Sequence, residues 1–200
     1  MIITIIGGIG SGKSLSCLKY IKESSNFPIT NFNLLRIKFK RLALSDIMKE
    51  VTDEKGKVKS YRVNWEYWEN MRKRNFSIYL DEANNIISAR ASNSLKNRTL
   101  NKWISQIRKI LSDSTTNHIY IVTQLPRMID VIFRDLTQVV ISCRLIESGA
   151  RVYVLQKFYN GFNNYEMGNC AAKSYFLANP YFKYYNTKEM VRFEDGEKFV

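Results

Sequence analysis

The octet Gly7-Gly8-Ile9-Gly10-Ser11-Gly12-Lys13-Ser14 has the spacing G-x-x-x-x-G-K-[ST]. Glycines let successive backbone N–H groups curl around phosphate oxygens where a Cβ would clash. In this register Lys13 reaches the β- and γ-phosphates of a nucleotide, and the Ser14 hydroxyl can ligate Mg²⁺. Leu15 opens the apolar face that follows, so residues 7–15 form the candidate ATP-binding set. A second set lies downstream, where the apolar run Phe76–Leu80 ends in Asp81-Glu82. An acidic pair at a strand end fits a Walker B element. Asp81 would hold Mg²⁺ directly or through water, and Glu82 would polarise the water that attacks the γ-phosphate. A third apolar run, His118–Thr123, ends in Gln124. Gln124 can sense the γ-phosphate or align water there; capping the turn at Leu125-Pro126 is the other reading.

These residues need a scaffold, and the hydrophobic pattern supplies one. Ile2–Ile6 is β-branched and reads as a buried strand. Leu15, Cys17, Leu18 and Ile21 recur at helical spacing, predicting a helix over 13–24 that Asn26-Phe27-Pro28 ends. Strand, glycine loop and helix together are the context the octet requires. Further strands are expected over 28–33, 76–80, 118–124, 139–143 and 151–158, the last two joined as a hairpin at Gly149. Arg36 to Arg41 alternates basic and apolar residues and predicts a strand with one basic face. Helices are expected over 44–51, 63–74 and 128–136, with a polar turn at 53–57. Residues 88–101 read as a loop or exposed helix start, followed by a clear helix to Leu111 and a turn over 112–117. From Tyr159 onward no period is strong. The expected organisation is a P-loop ATPase core over 1–158 and a C-terminal appendage over 159–200.

Two hundred residues suit one domain with a sizeable core. The net charge of +13 favours a polyanionic partner such as nucleic acid or an anionic membrane surface. Three cysteines with no C-x-x-C pair, Cys17, Cys143 and Cys170, read as thiols of a reducing compartment. His118 is the only histidine, which disfavours a His-based metal site or a Ser–His–Asp triad. No basic leader and no apolar run of membrane-spanning length are evident, so a cytoplasmic protein is expected.

Phosphate loop, Leu80-Asp81-Glu82-Ala83, Gln106-x-Arg108 and Thr123-Gln124 together resemble the FtsK–HerA class of P-loop ATPases. Within that class the chain looks most like zonular-occludens-toxin-like phage ATPases and is similar to viral genome-packaging ATPases. Thr30-Asn31 and Arg134-Asp135-Leu136 add to the likeness, which covers about residues 1–145. The resemblance implies an α/β fold of three layers, RecA-like, with a mainly parallel sheet and an extra strand between the Walker A and Walker B strands. It implies ATP and Mg²⁺ as cofactors and a homo-oligomer, a ring, with ATP between subunits. It also implies an arginine that reaches the neighbour's γ-phosphate, with Arg108 and Arg134 as the candidates. A viral packaging motor would act on double-stranded DNA without reading its sequence and dock on a capsid or portal protein, in the host cytoplasm or on the virion. Filamentous-phage assembly proteins of the zonular-occludens type usually carry a membrane-spanning segment and a periplasmic domain. Neither is evident here, which shifts the expectation toward a packaging motor. Arg36–Arg41 and Arg90–Lys102 are the expected DNA-facing stretches.

Three rivals share the phosphate loop. A small-molecule kinase would need an arginine-rich lid, which is not evident. A GTPase would need N/T-K-x-D, and Asn186-Thr187-Lys188-Glu189 lacks the Asp. A scaffold with a vestigial site is disfavoured by the full set of catalytic residue types.

Overall fold

The computed structural model describes residues 1–87, 93–111 and 116–185. Ten strands and six helices follow in chain order: β1 (Ile2–Ile6), α1 (Lys13–Glu23), β2 (Phe27–Thr30), β3 (Lys40–Arg41), α2 (Leu44–Ile47), β4 (Met48–Thr52), β5 (Val58–Val63), α3 (Trp65–Met71), β6 (Phe76–Leu80), α4 (Leu95–Leu111), β7 (Ile119–Thr123), α5 (Val131–Asp135), β8 (Val139–Ser148), β9 (Arg151–Asn160), α6 (Gly161–Glu166) and β10 (Ala172–Leu177). Eight of the strands form one sheet in the order β10-β9-β8-β1-β7-β6-β2-β3. The pairs from β8 to β3 are all parallel. Antiparallel pairing begins only at β8–β9 and β9–β10.

Every residue of β1, β6 and β7 is buried. Parallel strands buried on both sides read as continuous apolar runs, because helices cover both faces of the sheet. One face packs against α3, α4, α5 and α6 through Trp68, Met71, Trp103, Ile107, Phe133 and Phe162. The other packs against α1 through Leu15, Cys17, Leu18 and Ile21. This is the expected three-layer α/β architecture. β7 lies between β1, which feeds the glycine loop, and β6, which ends in Asp81. The extra strand implied by the resemblance is therefore present.

Several local expectations need correction. The 36–41 stretch is not a strand along its length. Only Lys40 and Arg41 pair, with Ile29 and Thr30 of β2. The helix expected over 44–51 stops at Ile47, and the chain turns into β4. β4 and β5 pair antiparallel as a separate hairpin around the polar 53–57 turn. The helix expected over 128–136 is split: a 3₁₀ turn over Pro126–Met128 precedes α5, which Asp130 caps through its side chain. The hairpin at Gly149 is longer than its apolar part, running from Val139 to Asn160. After it, β10 becomes the outer strand of the main sheet. Cys17 and Cys143 are buried and Cys170 half-buried, and all three are free thiols. The 112–115 part of the expected turn, Arg90 and the Asn186–Glu189 tetrad lie outside the described residues.

Candidate phosphate and metal site

The site lies at the carboxyl edge of the parallel strands, where β1, β2, β6 and β7 each hand over to a loop. Such edges are where open α/β sheets place their ligands. β1 feeds Gly7–Gly12, and α1 starts at Lys13. Gly12 sits at φ +88, a left-handed conformation. A Cβ there would lie 2.5 Å from Val154 Cγ2 on β9, so only glycine lets the loop pass against that strand. Lys13 Nζ donates to the Gly8 carbonyl at 2.8 Å, bracing the loop across its own curl. Burial lowers the Lys13 pKa, while Asp81, Cys143 and Glu82 work in the opposite direction.

Two motifs 67 residues apart meet in one hydrogen bond: Ser14 Oγ donates to Asp81 Oδ2 at 2.9 Å. Asp81 is held from its backbone as well. Asn31, which follows β2 directly, donates through Nδ2 to the Asp81 carbonyl and accepts from the Asp81 N–H, both at 2.8 Å. The side chain thus continues the β2–β6 ladder past its last backbone pair. The Asp81 Oδ1 accepts from the Glu82 N–H at 2.9 Å. Asn31 entered the sequence reading only as part of a resemblance; its geometry makes it the residue that fixes the acid's position.

Asp81 is 3% exposed. Burial raises its carboxyl pKa above the ordinary 3.8, and the hydrogen bonds from Ser14 and Glu82 only partly offset this. A raised folded-state value means the neutral acid suits the fold better than the carboxylate. Stability from this group is fully present below about pH 3.8 and is lost as pH rises through the raised value. Asp81→Asn is therefore expected to raise the melting temperature at pH 7. The gain should shrink toward zero as the pH falls below 4, followed by circular dichroism. A variant no more stable than the parent at pH 7 would contradict this account.

Glu82 has φ 47 and ψ 44, a left-handed backbone that glycine adopts freely and glutamate rarely. Its side chain is half-buried, and among the described residues no hydrogen bond engages its carboxylate. Gln124 follows β7 directly and is half-buried. The loop, Asp81, Glu82 and Gln124 thus share one edge of the sheet.

The arginines do not join them within this chain. Arg108 is exposed in the last turn of α4, whose end leads back toward the amino end of β7. Arg134 lies in α5, which leads into the amino end of β8, and its buried Nε has no hydrogen-bond partner among the described residues. Both therefore sit toward the opposite edge of the sheet. Of the expected DNA-facing residues, Lys40 pairs with Asp46 at 3.1 Å and lies over the Tyr67 ring, and Arg41 donates to Asn33. Arg36, Lys38, Arg98 and Lys102 are exposed.

A cleft of about 910 Å³ opens between Gly7–Ser11 and the β8–β9 arm. β1 pairs with β8 only as far as Ser142, while β8 and β9 continue to Ser148 and Arg151. The arm therefore projects past the loop, and Arg144 and Lys157 line the cleft beside Ser142. The sequence reading overlooked both cations. Their spacing two residues from Ser142 or opposite it on the hairpin was the available signal.

No protein-family model matches the sequence, and no curated protein matches it either. Among solved structures the likeness is firm. The fold is similar to that of the N-terminal domain of zonular occludens toxin from Neisseria meningitidis. The two share 19% identity with a TM-score of 0.59, covering 92% of this chain and 98% of that domain. The genome-packaging NTPase B204 of Sulfolobus turreted icosahedral virus 2, in complex with ATP-gammaS, matches at 14% identity and a TM-score of 0.47 over 87% of this chain and 95% of its own. B204 from Sulfolobus turreted icosahedral virus gives 17% identity and a TM-score of 0.45 over the same shares. The zonular-occludens likeness agrees with the mainly parallel three-layer sheet that the resemblance implied. No helix among the described residues is long and apolar enough to cross a membrane.

The donors present fit magnesium. Ser14 and Asp81 offer hard oxygens 2.9 Å apart. Among the described residues no group of three His, Cys, Asp or Glu side chains can hold a metal alone. Magnesium is ordinarily held by one or two protein oxygens, with phosphate oxygens and water completing its shell.

Proposed function

We propose that this chain is a magnesium-dependent ATPase of phage or viral type that moves nucleic acid, in the manner of a genome-packaging motor. The observation that carries the reading is the Ser14–Asp81 hydrogen bond. It brings the phosphate loop and the Walker B acid to one point on the sheet edge, across the intervening strand β7. Backbone N–H groups of 7–14 and the Lys13 ammonium would bind the phosphates, with Arg144 and Lys157 adding positive charge beside them. Ser14 and Asp81 would hold magnesium, which neutralises phosphate charge when bound. Glu82 would take the proton of the attacking water, and Gln124 would orient that water. Arg108 or Arg134 would act on a neighbouring subunit's site, which agrees with their placement away from the loop of their own chain. The reading includes a ring-shaped homo-oligomer of the FtsK–HerA class, double-stranded DNA as the polymer, and a capsid or portal protein as the dock. The excess of cations, +13 net, suits a sequence-independent grip on phosphates.

Steady-state ATP hydrolysis with and without double-stranded DNA, at low and at high salt, tests the reading. DNA is expected to stimulate turnover at low salt, and the stimulation should fade as salt releases the phosphate contacts. A zonular-occludens-like assembly ATPase is the second reading and rests on the fold likeness alone. Hydrolysis indifferent to DNA at every salt concentration would favour it, and phosphorylation of an added small molecule would favour a kinase.

A further inference from the structure

The Asp81 carboxylate has a third partner, from a part of the chain that carries no motif. Oδ2 accepts from Ser14 Oγ at 2.9 Å and also from the Tyr185 hydroxyl at 3.3 Å. A carboxylate oxygen offers about two lone-pair directions, so the oxygen turned toward Ser14 is filled. Magnesium dehydrates reluctantly and keeps several of its waters. A water in the shell of an ion at Ser14 would donate to that same oxygen. Ser14 is itself a metal donor and makes the shorter bond, so Tyr185 is the partner that yields.

Tyr185 follows a strap tied down along its length. Asn179–Tyr184 is a 3₁₀ segment lying against α1. Tyr181 donates through its hydroxyl to Glu23 at 3.3 Å, and Lys22 lies 5.1 Å from the centre of the Tyr184 ring. The Leu35 N–H donates to the Tyr184 carbonyl at 2.9 Å, and the Tyr185 ring meets Phe32 edge-on. At its start, the Ala178 N–H donates to Val152 on β9. The strap thus runs from the antiparallel side of the sheet, over α1, to the Walker B acid.

We propose that Tyr185 is a positioning residue of the metal corner: its hydroxyl and the water shell of a bound magnesium compete for one lone pair of Asp81. Metal–nucleotide binding would release the strap. The proposal rests on the reading of Ser14 and Asp81 as magnesium ligands. It makes the 179–185 segment a reporter of site occupancy, able to pass that state to whatever lies against α1.

A fluorescent ATP analogue, mant-ATP, titrated into the parent protein and Tyr185→Phe with magnesium or with EDTA, tests the competition. Removing the hydroxyl should tighten binding in magnesium by about two- to tenfold, the worth of one modest hydrogen bond, and leave binding in EDTA unchanged. Hydrogen exchange on the parent protein gives an independent reading. The Leu35 and Tyr181 amides should exchange faster when mant-ATP and magnesium are added together, and not with mant-ATP and EDTA. Equal or weaker magnesium-dependent binding by Tyr185→Phe overturns the proposal, as does exchange that ignores magnesium. If the parent protein binds mant-ATP equally with magnesium and with EDTA, the metal-corner reading itself fails and the competition falls with it.

Discussion

Replacing Lys13 by alanine is expected to lower ATP turnover by about 10²–10³-fold, or ~3–4 kcal/mol of barrier, the scale on which removal of one preorganised charge-stabilising donor is felt. Lys13 opens α1 at the carboxyl edge, and its ammonium reaches back over the loop to the Gly8 carbonyl. Burial lowers its pKa, and the acids Asp81 and Glu82 are close enough to oppose that lowering. Among the described residues Arg144 and Lys157 are the other cations that line the cleft, and they lie along its β8–β9 side. A phosphate chain entering the loop would therefore lose its central counter-charge, so nucleotide affinity should fall along with turnover. Nucleotide titration with steady-state hydrolysis separates the two effects. The fold is expected to survive, because the side chain is only half-buried and its one hydrogen bond serves an exposed loop. Turnover near the parent rate would remove Lys13 from the site.

The candidate residues that meet at the sheet edge were legible because their signals are local. The octet Gly7–Ser14 dictates its own curl, and the buried runs of β1, β6 and β7 announce themselves by composition. Strand order is a different kind of information. That β7 stands between β1 and β6 came from resemblance, since nothing in the residues of the three runs specifies a neighbour.

The misreadings share a physical cause: a short-range pattern overruled by pairing at a distance. Leu44, Ile47, Met48 and Val51 have helical spacing, yet Met48 pairs with Val63 and the chain leaves the helix after one turn. Arg36–Arg41 alternates as a strand should, but only Lys40 and Arg41 find partners on β2, which ends at Thr30. The outer end of β8, residues 144–148, escaped notice because Arg144, Glu147 and Ser148 are exposed and polar and break the apolar run that ends at Cys143, whereas its partner was expected from Arg151 onward. Asn31 and Tyr185 meet Asp81 across 50 and 104 residues, so no window of sequence could join them to it.

Glu82→Gln is expected to separate binding from turnover. The substitution keeps size and shape while removing the carboxylate's capacity to accept a proton, so hydrolysis should fall by about 10²–10⁴-fold. Nucleotide affinity should hold, since phosphate and metal contacts are assigned to residues 7–14 and Asp81. The backbone supports a dedicated role for this side chain. Glu82 is held left-handed immediately after β6, at an energetic cost that glycine would avoid. Its N–H meanwhile donates to Asp81 Oδ1. That bond ties the strained residue to Asp81, the proposed metal ligand, which fixes where the Glu82 side chain leaves the chain. Asp81 and Glu82 are then two carboxylates with divided work. One is buried, bonded by Ser14, Tyr185 and the backbone; the other is half-buried and, among the described residues, has no hydrogen bond to its carboxylate, which leaves it available to a water. The measurement is single-turnover hydrolysis beside an equilibrium nucleotide titration on the same preparation. Loss of binding in step with turnover would mean that Glu82 shapes the pocket. Normal turnover would move the base elsewhere, with Gln124, at the end of the adjacent strand, left only to orient water.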